Sequence, residues 1–209
     1  MIEWDSPSER YYQYGVDRGV LYIGEEDPIP WNGLLGIDED HDAATKVYYI
    51  DGQVYYATVE PGEFKGTLSA LFWPDAFSTC LGIPEVAPGM YVDNQRPRPF
   101  GLSYRSLIGS GGEDDLFGYQ IHLVYNALVK INTRNRTTLS NSFEPAKFVF
   151  ELIAKPIKLP NRRPSAHYIL DTRSMPPAKC TEVENLLYGV GSTPGRLPLP
   201  TELYDLLQP

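Results

Sequence analysis

A chain of 209 residues, 42% hydrophobic and 22% charged, can bury a full core in one β-rich domain, and this composition excludes a disordered segment. The net charge of −9 is divided, because residues 1–60 hold 13 acids against 3 bases while residues 130–163 hold 8 bases against Glu144 and Glu151. Two lone cysteines, Cys80 and Cys180, exclude a disulfide framework and a cysteine-built zinc site, and no run reaches the roughly 18 apolar residues of a membrane-spanning helix.

In chain order, residues 1–18 read as the N-terminal arm of a single domain that spans residues 1–209. Its start, MIEWDSPSERYY, has neither a basic n-region nor an apolar h-region, so a protein made and kept in a cytosol, or leaving it by lysis, is expected. Strand signal begins within the arm, at Tyr11 to Val16, and resumes at Val20 to Ile23, the two runs joined through Asp17-Arg18-Gly19. Residues 25–44 follow as a long loop carrying DEDHD, Asp38 to Asp42. Next comes KVYYIDGQVYYATV, two short strands joined by Asp51-Gly52, the pair that a tight hairpin favours because both central residues take positive φ. The doublets Tyr48-Tyr49 and Tyr55-Tyr56 flank the turn. Successive strand side chains point to opposite faces, so each doublet puts one ring on each side of the ribbon, and the second face needs a cover.

Alternation of period two marks three further strands. EFKGTLSALF sets Phe64, Leu68, Ala70 and Phe72 against Lys65, Thr67 and Ser69. GYQIHLVYNALV sets Tyr119, Ile121, Leu123, Tyr125, Ala127 and Val129 against Gln120, His122, Val124, Asn126 and Leu128. AKFVFELIA sets Phe148, Phe150, Leu152 and Ala154 against Lys147, Val149, Glu151 and Ile153. Residues 100–108 and 167–170 also read as strands. Short helices are expected from Pro74 to Gly82, from Ser174 (near the cap) to the terminator Gly189 with a stripe of Cys180, Val183, Leu186 and Leu187, and from a Thr201 cap onward. The expected fold is mainly β, an antiparallel sandwich or barrel, with residues 174–209 as a helical segment packed on it or extending from it. Besides residues 25–44, the stretches 82–99 and 109–116 read as long loops, a kind that is uncommon unless it binds something.

Motifs for chemistry are sparse. DEDHD spaces carboxylates like a calcium loop, but Ala43 and Tyr49 stand where that loop needs glycine and glutamate, so a solvated acidic loop is expected. GSGGEDD lacks the lysine and hydroxyl of a phosphate-cradling loop, and GLSYR around Ser103 lacks the second glycine of a nucleophile elbow. His41, His122 and His167 lie in separate segments, and His122 reads as a hydrogen-bonded structural histidine. Asn135-Arg136-Thr137 matches a glycosylation sequon by chance. No catalytic residue, cofactor or metal ligand is assigned. Two alternatives stay open: a carbohydrate-binding β-sandwich stacking sugars on Trp4, Trp31, Trp73 and exposed tyrosines, and a hydrolase built on two carboxylates.

Taken in order, YYIDGQVYYATV, GTLSALFWPDAFSTCLG, APGMYVDNQRPRPFGLSYRSLIG, YQIHLVYNALV, AHYILDT, LLYG and RLPLPTELYDLL resemble the major tail proteins, or tail tube proteins, of long non-contractile-tailed bacteriophages (siphophages) of actinobacteria. The likeness runs from about Gly19 to Leu207. It implies a virion protein of the tail, with hexameric rings stacked into a tube for genome ejection. The implied partners are other copies of the chain, the tape-measure, terminator and tail-tip proteins, and double-stranded DNA in non-adhesive passage, with no membrane insertion. It implies no catalytic residues. The first eighteen residues and the loops at 38–42 and 109–116 match no pattern of that family.

On the tube reading, neighbouring copies cover the free face of the hairpin and make Tyr48, Tyr49, Tyr55 and Tyr56 inter-subunit contacts. Asp38, Glu39, Asp40 and Asp42 are the lumen-facing acids expected to keep a phosphate-rich duplex from sticking, and Glu113, Asp114 and Asp115 reach either the lumen or the next ring. The basic stretch 130–163 is expected to face acids of an adjoining copy.

Overall fold

The computed structural model describes residues 4, 10–40, 44–60, 62–110, 117–130, 138 and 145–208. Asp42, His41, Glu113, Asp114, Asp115 and the sequon lie outside them. Every strand pairing among the described residues is antiparallel. The mainly β expectation therefore holds.

One large sheet carries the fold. Its strands are β1 (Tyr11–Tyr22), β2 (Ile29–Pro30), β3 (Leu34–Asp40), β6 (Lys65–Ala70), β9 (Phe100–Ser110), β10 (Gly118–Lys130), β11 (Phe148–Ala154) and β12 (His167–Asp171), in the order β2-β1-β9-β10-β11-β6-β3, with β12 on β10. Between them lie three separate hairpins: β4 (Ala44–Ile50) with β5 (Gln53–Glu60), β7 (Glu85–Ala87) with β8 (Met90–Tyr91), and β13 (Gly189–Val190) with β14 (Thr193–Pro194). The sheet curls until β3 returns to β1. Gly19 sits at that seam because a Cβ there would stand 2.8 Å from a Leu34 methyl.

Curling gives the sheet an inside and an outside, each with its own core. Leu21, Leu68, Leu102, Phe150 and Leu152 fill the inside, and helix α1 (Phe77–Cys80) plugs it with Phe77, which has no exposed surface. Phe77 meets Trp31, Phe100 and Phe150 edge-on at ring separations of 4.5, 5.2 and 5.4 Å, a favoured aromatic geometry. Burial beside it pushes the Cys80 thiol up to about 11, so this cysteine is an inert core group. On the outside, Val20, Tyr22, Ile121, Leu123 and Tyr125 pack under helices α2 (Pro177–Tyr188) and α3 (Pro200–Leu207) through Val183, Leu187 and Leu203. Arg105 ties α2 down. Its guanidinium grips both Asp17 carboxylate oxygens at 2.6 and 2.8 Å, lies 3.5 Å from Glu184 of α2, and covers the Tyr119 ring at 4.3 Å.

Several expectations change. Tyr11 to Tyr22 is one bent strand and no hairpin, since Gly15 and Arg18 take φ of 59° and 46° and create bulges against β9, which lets Asp17-Arg18-Gly19 continue the ladder. Residues 11–18 are accordingly part of the sheet as well as of the expected arm. The loop expected at 25–44 contains β2 and β3, and the one at 82–99 contains the β7–β8 hairpin. In β10 the alternation does not run through. Asn126, at φ 49°, forms a bulge between Val124 and Ala127, so Ile121, Leu123 and Tyr125 face the helices while Ala127 and Val129 turn to the inner core. Phe72 lies past the end of β6, 62% exposed and stacked on Trp73. Helix α1 is shorter than Pro74 to Gly82. The helices α2 and α3 start at Pro177 and Pro200 with no side-chain cap, so neither Ser174 nor Thr201 caps them. Gly189 does end α2, at φ 83°.

Candidate functional site

The hairpin at 44–60 forms as its sequence dictates. Asp51 and Gly52 take φ of 51° and 77°, the double positive pair of a tight two-residue turn. Val47 pairs with Ala57 and Tyr48 with Tyr56. A register shift then brings Tyr49 opposite Val54, leaving Tyr55 as the extra residue of a bulge. Among the described residues the ribbon pairs with no other strand. Tyr48, Tyr49, Tyr55 and Tyr56 are all more than half exposed, Tyr55 most at 75%, and Ile50, Val54 and Val59 are also more than half exposed. Both faces of the ribbon are therefore exposed among the described residues. A free apolar hairpin of two strands is at best marginally stable, and contiguous exposed apolar surface of this kind marks an interaction site.

The acids divide by face. Asp38, Glu39 and Asp40 belong to β3 and form no loop, and strand alternation separates Glu39 from its two neighbours. Asp38 and Asp40 are exposed on the outer side. Glu39 turns inward, beside Tyr104 of β9 and His122 of β10. The Tyr104 hydroxyl donates to Glu39 Oε1 at 2.5 Å, and His122 Nδ1 lies 3.1 Å from the same oxygen.

His122 in turn faces His167 of β12, with Nδ1 to Nε2 at 3.1 Å, and its Nε2 lies 2.9 Å from Ser106 Oγ. His167 Nδ1 lies 3.6 Å from Glu39 Oε2. The Tyr104 and His122 rings stack at 4.6 Å because the two residues are directly opposed in the β9–β10 ladder. Side-chain exposure is 7% for His122, 3% for His167 and 25% for Glu39. Burial alone would raise the Glu39 carboxyl, but the hydrogen bonds from His122 and Tyr104 and the nearby histidines outweigh it and hold it at about 2. The same carboxylate, added to burial, drives the Tyr104 phenol far above its ordinary value. One pole of the barrel interior is thus polar while the rest is apolar.

Sequence reasoning named Glu39 for the lumen and set His122 and His167 aside as unrelated. Their convergence has no sequence signature, since His122 and His167 lie 45 positions apart and meet only because β12 pairs with β10. Of the tryptophans, Trp31 is 4% exposed and packs on Phe77, Trp73 stands edge-on to Phe148 and Phe150, and only Trp4 is bare. Lys130 pairs with Glu151 inside the chain at 2.9 Å, with both groups well exposed.

Neither a protein-family model nor a curated protein matches the chain. Among solved structures, it is similar to a chain of the sheath-tube complex of PVC, an extracellular contractile injection system, in the extended state. That match has 17% identity and a TM-score of 0.39, covering 74% of this chain and 88% of the other. It is similar to the anti-feeding prophage cap, which terminates the AFP tube, at 18% identity and a TM-score of 0.40, covering 77% and 93%. The PVC sheath/tube terminator in the extended state is similar at 18% identity and a TM-score of 0.32, covering 74% and 96%. At these identities and TM-scores the likenesses carry no argument about what the chain does.

Proposed function

We propose that the chain is a structural subunit that completes its surface beside identical copies, forming hexameric rings stacked into the tail tube of a long-tailed bacteriophage, through which the genome leaves the virion. The observation that carries this reading is the β4–β5 ribbon, with four tyrosines exposed and no further strand partner among the described residues. In a ring, ribbons of adjacent copies pair edge to edge, which satisfies their open backbone groups and covers the second face. The resemblance of the sequence to siphophage tail tube proteins supports the same assembly.

The charge fits a conduit. Asp38 and Asp40, exposed on β3, are the acids we assign to the bore. A negative lining repels DNA weakly over a Debye length of about 8 Å at physiological salt, so the duplex slides without adhering. The Glu39 carboxylate is engaged by Tyr104 and His122, so the assignment to the bore rests on its two neighbours. The tape-measure protein, during assembly, and the terminator and tip proteins at the tube ends are the further partners of this reading. The carbohydrate-binding alternative loses Trp31 and Trp73, which pack in or against the inner core, and keeps Trp4 and the exposed tyrosines.

Electron microscopy of the purified chain under assembly conditions tests the proposal. Hollow tubes or six-fold rings are expected. A protein that stays monomeric at high concentration and low salt, with the hairpin still exposed, overturns it.

A further inference from the structure

The polar pole of the barrel is more ordered than a structural histidine needs. A carboxylate and two imidazole nitrogens are electron-rich, yet His122 Nδ1 stands 3.1 Å from both Glu39 Oε1 and His167 Nε2. Separations of this size fit N–H hydrogen bonds, and they fit equally the ligand atoms around one shared metal ion. Four-coordinate zinc with bonds of about 2.0–2.1 Å sets its ligand atoms roughly 3.3 Å apart, close to both of these separations. One donor atom from each of the three residues lies within 4.8 Å of the others. On the remaining edge His167 Nδ1 lies 3.6 Å from Glu39 Oε2, and the Glu39 side chain is 25% exposed.

The surroundings orient the donors as a metal site requires. Ser106 Oγ engages His122 Nε2, which leaves Nδ1 to face inward, and the Tyr104 hydroxyl fixes Glu39. Outer hydrogen bonds of this kind select the ligating nitrogen and raise ligand basicity. The Phe64 ring, 4.8 Å from the His167 ring, walls one side with apolar surface.

We propose that Glu39, His122 and His167 form a binding site for one borderline divalent first-row cation of the zinc type, held by two imidazoles and one carboxylate. This donor set suits zinc, cobalt or nickel and disfavours calcium and magnesium, which take oxygen ligands. The residues come from β3, β10 and β12, so the ion fastens the edge strand β3 to the middle of the sheet. The site stands independently of tube assembly, since all three ligands belong to one chain.

The test is a titration of the chelator-treated full chain with cobalt(II), followed by its visible d–d absorption, and then with zinc as the competitor. One cobalt per chain with tetrahedral-type bands, displaced by zinc, is expected. His167→Gln should abolish the bands, with circular dichroism verifying the fold, while Asp38→Asn with Asp40→Asn leaves them intact. Ser106→Ala, which spares all three ligands, should weaken binding by about 10–100-fold, the usual effect of losing an outer hydrogen bond. Absence of saturable binding by the wild-type chain overturns the proposal. So does cobalt binding that survives His167→Gln in a folded protein, or that is unchanged in Ser106→Ala.

Discussion

Phe77→Ala probes how the barrel is held shut. The side chain has no exposed surface and is walled by Trp31, Phe100 and Phe150, rigid rings that cannot collapse into the space left behind. Truncating a buried phenylalanine costs about 3–5 kcal/mol, and a site that cannot relax lies toward the upper end. Against a total stability of roughly 5–15 kcal/mol this is a large share. For a chain of this size each kcal/mol lowers the melting temperature by about 2–4 °C, so a drop on the order of 8–20 °C follows. Helix α1 has only four residues and no intrinsic stability, so its order depends on this plug. Urea unfolding read by near-ultraviolet circular dichroism measures the change, with Phe77→Leu as the intermediate case that keeps most of the apolar area and loses the ring contacts. A loss below about 1 kcal/mol for the alanine variant, with an unchanged denaturant slope, would refute the plug reasoning.

Three other outcomes are expected. Tyr48→Ser, Tyr55→Ser and Tyr56→Ser together should leave the unfolding midpoint of the free subunit within about 1 kcal/mol of wild type, since only the Tyr48–Tyr56 cross-strand contact at 6.3 Å is lost, yet should abolish tubes in electron micrographs. Assembly unaffected by the triple change would sink the hairpin interface. Asn126→Ala should cost about 1 kcal/mol in urea unfolding because φ of 49° disfavours a Cβ, while Asn126→Gly should be close to neutral; equal costs would show that the bulge is not set by that angle. The Asp171 carboxyl is held well below the ordinary aspartate range, first by Arg173, against some burial, and then by Gln120. Its stabilisation is full above the unfolded value of about 3.9 and is lost as pH falls through the folded value, so the stability gap between wild type and Asp171→Asn should shrink on acidification; a gap constant from pH 7 to pH 3 would contradict this.

Lysine at Asp38 and Asp40 gives a separate check on the conduit. Tubes should still assemble, but genome ejection should slow as phosphates meet positive charge. Unchanged ejection kinetics would remove these two acids from the bore.

Local sequence was enough to determine the elements whose cause is local. Asp51-Gly52 encodes a double positive-φ turn, the alternation of Phe148, Phe150, Leu152 and Ala154 matches the buried face of β11, and Gly189 ends α2 where it must. Composition and period two were sufficient for an antiparallel β fold with few helices. Tertiary structure decided the rest. Whether Arg18 bends a strand or closes a turn depends on the long partner β9, and the side taken by Ala127 depends on one bulge at Asn126 that no hydrophobic pattern records. Glu39, His122 and His167 meet through strand pairing and sheet curvature, so their proximity cannot be read from any window of sequence. Periodicity reports which residues share a face; what lies against that face is set by the closure of the whole sheet, and for the tyrosine ribbon the described residues supply no further strand there.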